Sequence, residues 1–211
     1  MEISRAMCSR PLSPELDHFA IVTQGLSIRT PLHRVVNHAF NDTWHALQKL
    51  HTLGYRRPGM VLAQYEDERG GHANAGGYFS WCDTTLGMSS PIPILRMNRV
   101  EDKPLLSWLK LHRPDVVLFV HAAETLAAFA DFLRAQSIRV PQDLGVAAVT
   151  QVLSGTNFSG FEENQPLMGQ WAVEMLIARI MNRDVGVPRI PRIEMVEGLW
   201  LEGQSLRRQT A

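Results

Sequence analysis

Three short, nearly unbroken apolar runs constrain this chain more than any other feature: GMVLAQY from Gly59, DVVLFV over Asp115 to Val120, and LGVAAV over Leu144 to Val149. Each has strand length and lacks polar alternation, the pattern of a strand covered on both faces. Between them lie segments of helical period. Phe40, Trp44, Leu47, Leu50 and Leu53 recur at helical spacing, with Asn41 or Asp42 near the cap and Gly54 as the stop, which predicts a helix over 40–53. Helices are also predicted over 73–86, 101–112, 123–136 and 167–181, and IPILRM and RIEMVEGLW read as further strands. Such alternation specifies βαβ units and an α/β fold with mostly parallel sheets flanked by helices.

With 211 residues and 45% hydrophobic content, the chain can bury a core as one large domain or two small lobes. Its 21 basic and 21 acidic residues cancel, so these residues show no basic excess for gripping nucleic acid. Cys8 and Cys82 are too few and too far apart for a disulfide framework or a CxxC site, which fits a reducing, cytoplasmic setting. MEISRAMCSRPLSPELDHF has no apolar run of signal-peptide length, and no later segment reaches membrane-spanning length. Neither export nor membrane contact is expected. Met1 to Asp17, with Pro11 and Pro14, is expected to be loosely held.

An enzymatic role is not expected, because GxSxG, GxGxxG, HExxH and a Walker loop are all missing, and RGGHANAGG is Gly-rich but holds no Lys. His38 and His45 stand two turns apart without a Cys or carboxylate cluster, so no metal and no cofactor are expected. Asp115 begins its strand, whereas a phosphoryl-receiving Asp ends one. Binding remains. In an open parallel sheet the loops at the carboxyl ends of strands meet ligand. DVVLFV delivers His121 there, and SIRVPQDLGVAAVT delivers Thr150 and Gln151: Pro141 stops the preceding helix and Asp143 can bond local amides in the turn.

Four stretches together resemble the ligand-binding core of the LacI/GalR family of bacterial transcription regulators: ALQKLHTLGYRR (46–57), RPDVVLFVHAAETLAAFADFLRAQSIRVPQDLGVAAV (113–149), FEENQPLMGQWAVEMLIARI (161–180) and VEGLWLEGQSLR. The resemblance covers the chain from about Phe19 onward, in order and without large gaps. It implies a two-lobed core like that of periplasmic sugar-binding proteins, with residues 1–57 and 152–187 forming a partial N-terminal lobe and 58–151 with 188–211 the C-terminal lobe. A small-molecule effector, a sugar or sugar derivative, would sit in the cleft between lobes of a homodimer. DNA would be met only through a helix-turn-helix that has no counterpart in this sequence. HFAIVTQG matches a strand that comes later in the N-terminal lobe, so that lobe is expected to lack its first strand-helix-strand-helix portion. Uncovered apolar strand edges, with poor solubility or pairing to a partner chain, would result.

The same resemblance implies effector positions one by one. Arg69 in EDERGGH matches an Arg that anchors sugar hydroxyls; Asn37 follows Val35-Val36 where the family commonly has Asp; His121-Ala122 replaces an Asn-Asp pair; Thr150, followed by Gln151, replaces an Asp. With those carboxylates absent, a charged sugar derivative is as open as a neutral sugar. Plainer roles stand beside these. Arg69 can be a solvated helix-start residue, His121 a hydrogen-bonded structural one, and Asn37 and Thr150 ordinary strand-end residues. Trp44, Trp108 and Trp171 sit at helical spacing as core, while Trp81 could stack on a sugar. An exported or periplasmic sugar-binding protein with the same fold is the alternative function.

Overall fold

The computed structural model describes residues 14–87, 91–150 and 153–209. The chain forms two compact units, Met1–His38 with Asn164–Glu197 and Ala39–Glu163 with Gly198–Ala211.

The larger, second unit is built on the three apolar runs. They become β3 (Pro58–Leu62), β5 (Val116–Val120) and β6 (Gly145–Thr150), each buried at every position. With β4 (Leu95–Arg96), β7 (Ser159–Glu162) and β9 (Leu199–Leu201) they form a six-stranded sheet in the order β4-β3-β5-β6-β7-β9, parallel except where β9 runs antiparallel to β7. Because successive strand residues face opposite ways, each strand feeds two cores. On one face Met60, Leu62 and Leu118 meet Leu47 and Leu50 of α1 (Ala39–Thr52) and, beyond the short helix α2 (Gln64–Arg69), Tyr78 and Trp81 of α3 (Ala73–Leu86). On the other, Val61, Val117, Phe119 and Val146 meet Leu105 and Trp108 of α4 (Asp102–His112) and Phe129 and Leu133 of α5 (Ala123–Ala135). Gly59 lets the Trp108 ring lie against the sheet, where a Cβ would collide with it.

Polar residues fix where these strands start. Asp115 accepts from the backbone N–H groups of Arg56 (2.7 Å) and Arg57 (3.0 Å), which aligns the entry of β3 beside β5. Asp143 accepts from the Arg139 N–H at 2.9 Å and from the Arg139 guanidinium, and so forms the turn ahead of β6. Near the end of the chain, the buried Ser205 hydroxyl donates to Val146 O (2.6 Å) and accepts from Ser159 N–H (2.8 Å), tying the tail to β6 and β7.

The first unit is a three-stranded parallel sheet in the order β1 (Val22–Gln24), β2 (His33–Asn37), β8 (Ile193–Val196). One long helix, α6 (Gln165–Met181), lays Met168 and Met175 on Val35 and Val196. The Asn164 side chain caps it by accepting from Leu167 N–H. The buried Arg179 donates to Asp184 Oδ2 (2.7 Å) and Gly186 O (3.2 Å), closing the loop after the helix.

Several divisions differ from the sequence-based expectation. Helix α1, placed by sequence in the first lobe, belongs to the second unit, because its apolar stripe is satisfied by the larger sheet. Strand β7, which none of the strand predictions includes, starts at Ser159 and pairs with β6. RIEMVEGLW is two strands rather than one. The chain leaves the first sheet after Val196, and Gly198, whose N–H donates to Asp42 Oδ1 at 2.9 Å, brings it to the second. Trp81 is buried and donates its indole N–H to Gln48 Oε1 at 3.0 Å, so it is core rather than a sugar platform.

Candidate functional site

The carboxyl ends of β3, β4, β5 and β6 lie side by side in the second unit, and the residues just past them make the candidate site. Helix α2 comes directly after β3. Its Tyr65 N–H donates to Asn98 Oδ1 beyond β4 (3.1 Å), and the Tyr65 hydroxyl donates to Glu66 Oε1 (2.9 Å). Burial first, then that carboxylate, pushes the phenol up to about 12. The Arg69 guanidinium stands 5.9 Å from the centre of the Tyr65 ring, within cation–π range.

Asp67 is the hub of this end of the sheet. It is 1% exposed, and its Oδ2 takes His72 Nδ1 at 3.0 Å and the Arg96 guanidinium at 3.5 Å. One buried carboxylate thus ties α2 to the residue before α3 and to the end of β4. His72 takes a left-handed backbone conformation (φ 62°) to reach it.

His121 comes immediately after β5, is 3% exposed, and stacks on Phe119 with ring centres 5.2 Å apart. Its Nε2 lies 2.8 Å from Met97 O. Since a carbonyl only accepts, Nε2 carries the proton and Nδ1 is the acceptor of the neutral ring. Burial holds the imidazole below its usual 6.5, against the opposing pull of the Met97 carbonyl and of Glu66 and Glu124. Those two carboxylates also act on Tyr65, as does Arg69, so Tyr65, Arg69 and His121 share one neighbourhood.

Thr150 ends β6 and is buried, with its backbone O accepting from Glu163 N–H at 2.9 Å. Its hydroxyl has no hydrogen-bond partner among the described residues. A buried hydroxyl without a partner is costly, and one at a strand's carboxyl end can be satisfied by a ligand's polar group.

Of the sequence candidates, Arg69, His121 and Thr150 fall on this one edge. Asn37, at the end of β2, belongs to the first unit. Gln151 lies outside the described residues. Sequence reasoning missed Tyr65, Asp67, Arg96 and Asn98; the spacing of Asp67 and His72 within EDERGGH was the available signal. A separate concavity over α1 and β7 is lined by His45, Gln48, Lys49, Thr52 and Phe161, and three of those polar side chains are engaged elsewhere. Gln48 serves Trp81, Thr52 donates to Lys49 O, and Lys49 pairs with Glu202.

Two α/β units with parallel strands are joined by three crossings of the chain, and the larger gathers polar groups at its strand ends. A family model described as periplasmic binding protein-like domain matches residues 47–205, and the chain belongs to that family. Among solved structures it is similar to the complex of the transcriptional regulator CelR with cellobiose (19% identity, TM-score 0.68), covering 87% of this chain and 58% of that one. It is similar to a LacI family transcriptional regulator from Enterococcus faecium with bound ribose (14% identity, TM-score 0.67), covering 84% of this chain and 67% of that one. A transcription regulator from Lactobacillus plantarum gives 15% identity and a TM-score of 0.72, with 89% and 72% covered. No curated protein matches the chain. Among the described residues no helix is long and apolar enough to cross a membrane.

Proposed function

We propose that this chain is the effector-sensing core of a LacI/GalR-like transcriptional regulator: non-catalytic, cytoplasmic, working as a homodimer, and binding a sugar or sugar derivative at the carboxyl edge of the six-stranded sheet. Contact with DNA is assigned to a helix-turn-helix that is not among the elements described above. The observation that carries the reading is the buried Thr150 hydroxyl, without a hydrogen-bond partner among the described residues, at the end of the strand next to the one that leads into His121, with Arg69 against Tyr65 on the helix after β3. The similarity to solved regulators bound to cellobiose and ribose supports it.

The same side chains argue for a ligand class. Asp67 is occupied by His72 and Arg96, and Glu66 by the Tyr65 hydroxyl, so two carboxylates of this edge are already engaged within the protein. Guanidinium forks favour carboxylate and phosphate. Sugar acids and sugar phosphates are therefore expected to stabilise the protein more than their parent sugars. A thermal-shift screen of all three classes against wild type and Arg69→Ala tests this. The stabilisation by the best ligand should fall sharply in the variant; an equal shift in both removes Arg69 from the site.

A further inference from the structure

Most large apolar side chains exposed among the described residues belong to the smaller, first unit, including Ile190, Ile193 and Met195. Ile193 (48% exposed) and Met195 (54%) lie on β8, an edge strand. The backbone shows which way that edge looks. Arg192 O and Val196 O accept from Arg34 and His38 of the β2 side, so the alternate residues, Ile193 and Met195, turn their N–H and C=O groups outward. No strand pairs with that outer edge among the described residues. At the other edge of the sheet, just before β1, Phe19 O already accepts from Gly186 N–H.

An open strand edge with apolar side chains is a template for another strand, and the charges beside it say which one. Arg192 and Glu194 flank Ile193 symmetrically and pair with each other at 2.7 Å within the chain. An antiparallel partner with the same sequence, placed on a two-fold axis through Ile193, sets each Arg192 opposite the other copy's Glu194. The two Ile193 residues then exchange both backbone hydrogen bonds across the axis. Moving the axis by one residue would set the two Glu194 side chains against each other. We propose that β8 is a self-association surface, joining the three-stranded sheets of two copies edge to edge through an antiparallel β8–β8 pair centred on Ile193. This deepens the homodimer part of the reading above by naming the surface. The contact is isologous, and it sets the Ile193 side chains of the two copies side by side.

Sedimentation equilibrium of the full chain tests it, with circular dichroism to confirm folding. Wild type should be a dimer. Arg192→Glu and Glu194→Arg should each weaken the dimer on the order of tenfold, because like charges then face each other in both halves. Each single change also breaks the pair within its own chain, so the deciding sample is the equimolar mixture of the two variants. There every cross-strand contact is again between opposite charges, and association should return to near the wild-type level. Ile193→Lys, at an exposed position, should be monomeric. A monomeric wild type, single variants that dimerise as wild type does, or a mixture no tighter than its components would each overturn the proposal. The same variants go through the ligand screen: a lost dimer with an intact ligand response, or the reverse, tells failure of this surface from failure of the effector reading.

Discussion

Replacing Thr150 by Val deletes one hydroxyl and keeps the side chain's shape, so it separates a structural residue from a ligand contact. In the unliganded protein that hydroxyl is buried and bonded to nothing described, while the Thr150 backbone is already held by Glu163 N–H and by pairing with Glu162. A buried hydroxyl without a partner costs about 1–3 kcal/mol relative to one that is paired, and a methyl group in its place carries no such cost. Thr150→Val should therefore leave stability unchanged or raise it by about 1 kcal/mol, with Tm up by about 2–4 °C for a chain of this size. Effector binding should move the opposite way, weakening about five- to tenfold for the loss of one hydrogen bond. Urea unfolding without ligand and titration calorimetry with the best ligand of the screen measure the two. A variant destabilised by more than about 1 kcal/mol with unchanged affinity would show that the hydroxyl holds the fold together, and would refute the argument.

The sheet core was readable because burial on both faces leaves a strand no polar positions: GMVLAQY, DVVLFV and LGVAAV could be little else, and all three are central strands. Elements with weaker patterns were less legible. β7 reads Ser-Gly-Phe-Glu, and nothing local marks it as a strand; pairing with β6 and β9 does. Helix α2 has six residues, under two turns, too short to show a period. The unit boundaries were misplaced at α1 because an amphipathic helix advertises an apolar stripe without saying which sheet will receive it. The site obeyed the same logic. His121 and Thr150 could be found from their positions at or just past a strand's carboxyl end, with no knowledge of their contacts, whereas Arg69, at the far end of α2, was marked only by the family resemblance. That Asp67 would be the buried hub could not. It sits among Glu66, Glu68 and Arg69 in a run that reads as a solvated face, and only the return of His72 and Arg96 to it shows otherwise.

Two titrations give stability a defined pH dependence. Burial lowers His33 in the first unit, aided by Arg179 and opposed by Asp184, and burial lowers His121 in the second. Both rings bind protons more readily unfolded, at the ordinary 6.5, than folded. Stability is thus fully present above that value and is lost as pH falls below it. Urea midpoints should decline from pH 7 to pH 5, and a rise over that range would contradict the burial of both rings. Ser205→Ala should differ in sign from Thr150→Val, although both remove one buried hydroxyl. The Ser205 hydroxyl is used twice, donating to Val146 O at 2.6 Å and accepting from Ser159 N–H at 2.8 Å. Its removal leaves a donor and an acceptor facing a methyl group in a place closed to water. Two net hydrogen bonds of about 1 kcal/mol each, plus the cost of the stranded Ser159 N–H, give a loss of about 2–4 kcal/mol by urea unfolding. Ser205→Ala within about 0.5 kcal/mol of wild type would mean the tail is not locked to β6 and β7 through this residue. The contrast rests on partners rather than on burial: the same deletion is costly where the hydroxyl completes two bonds and free where it completes none.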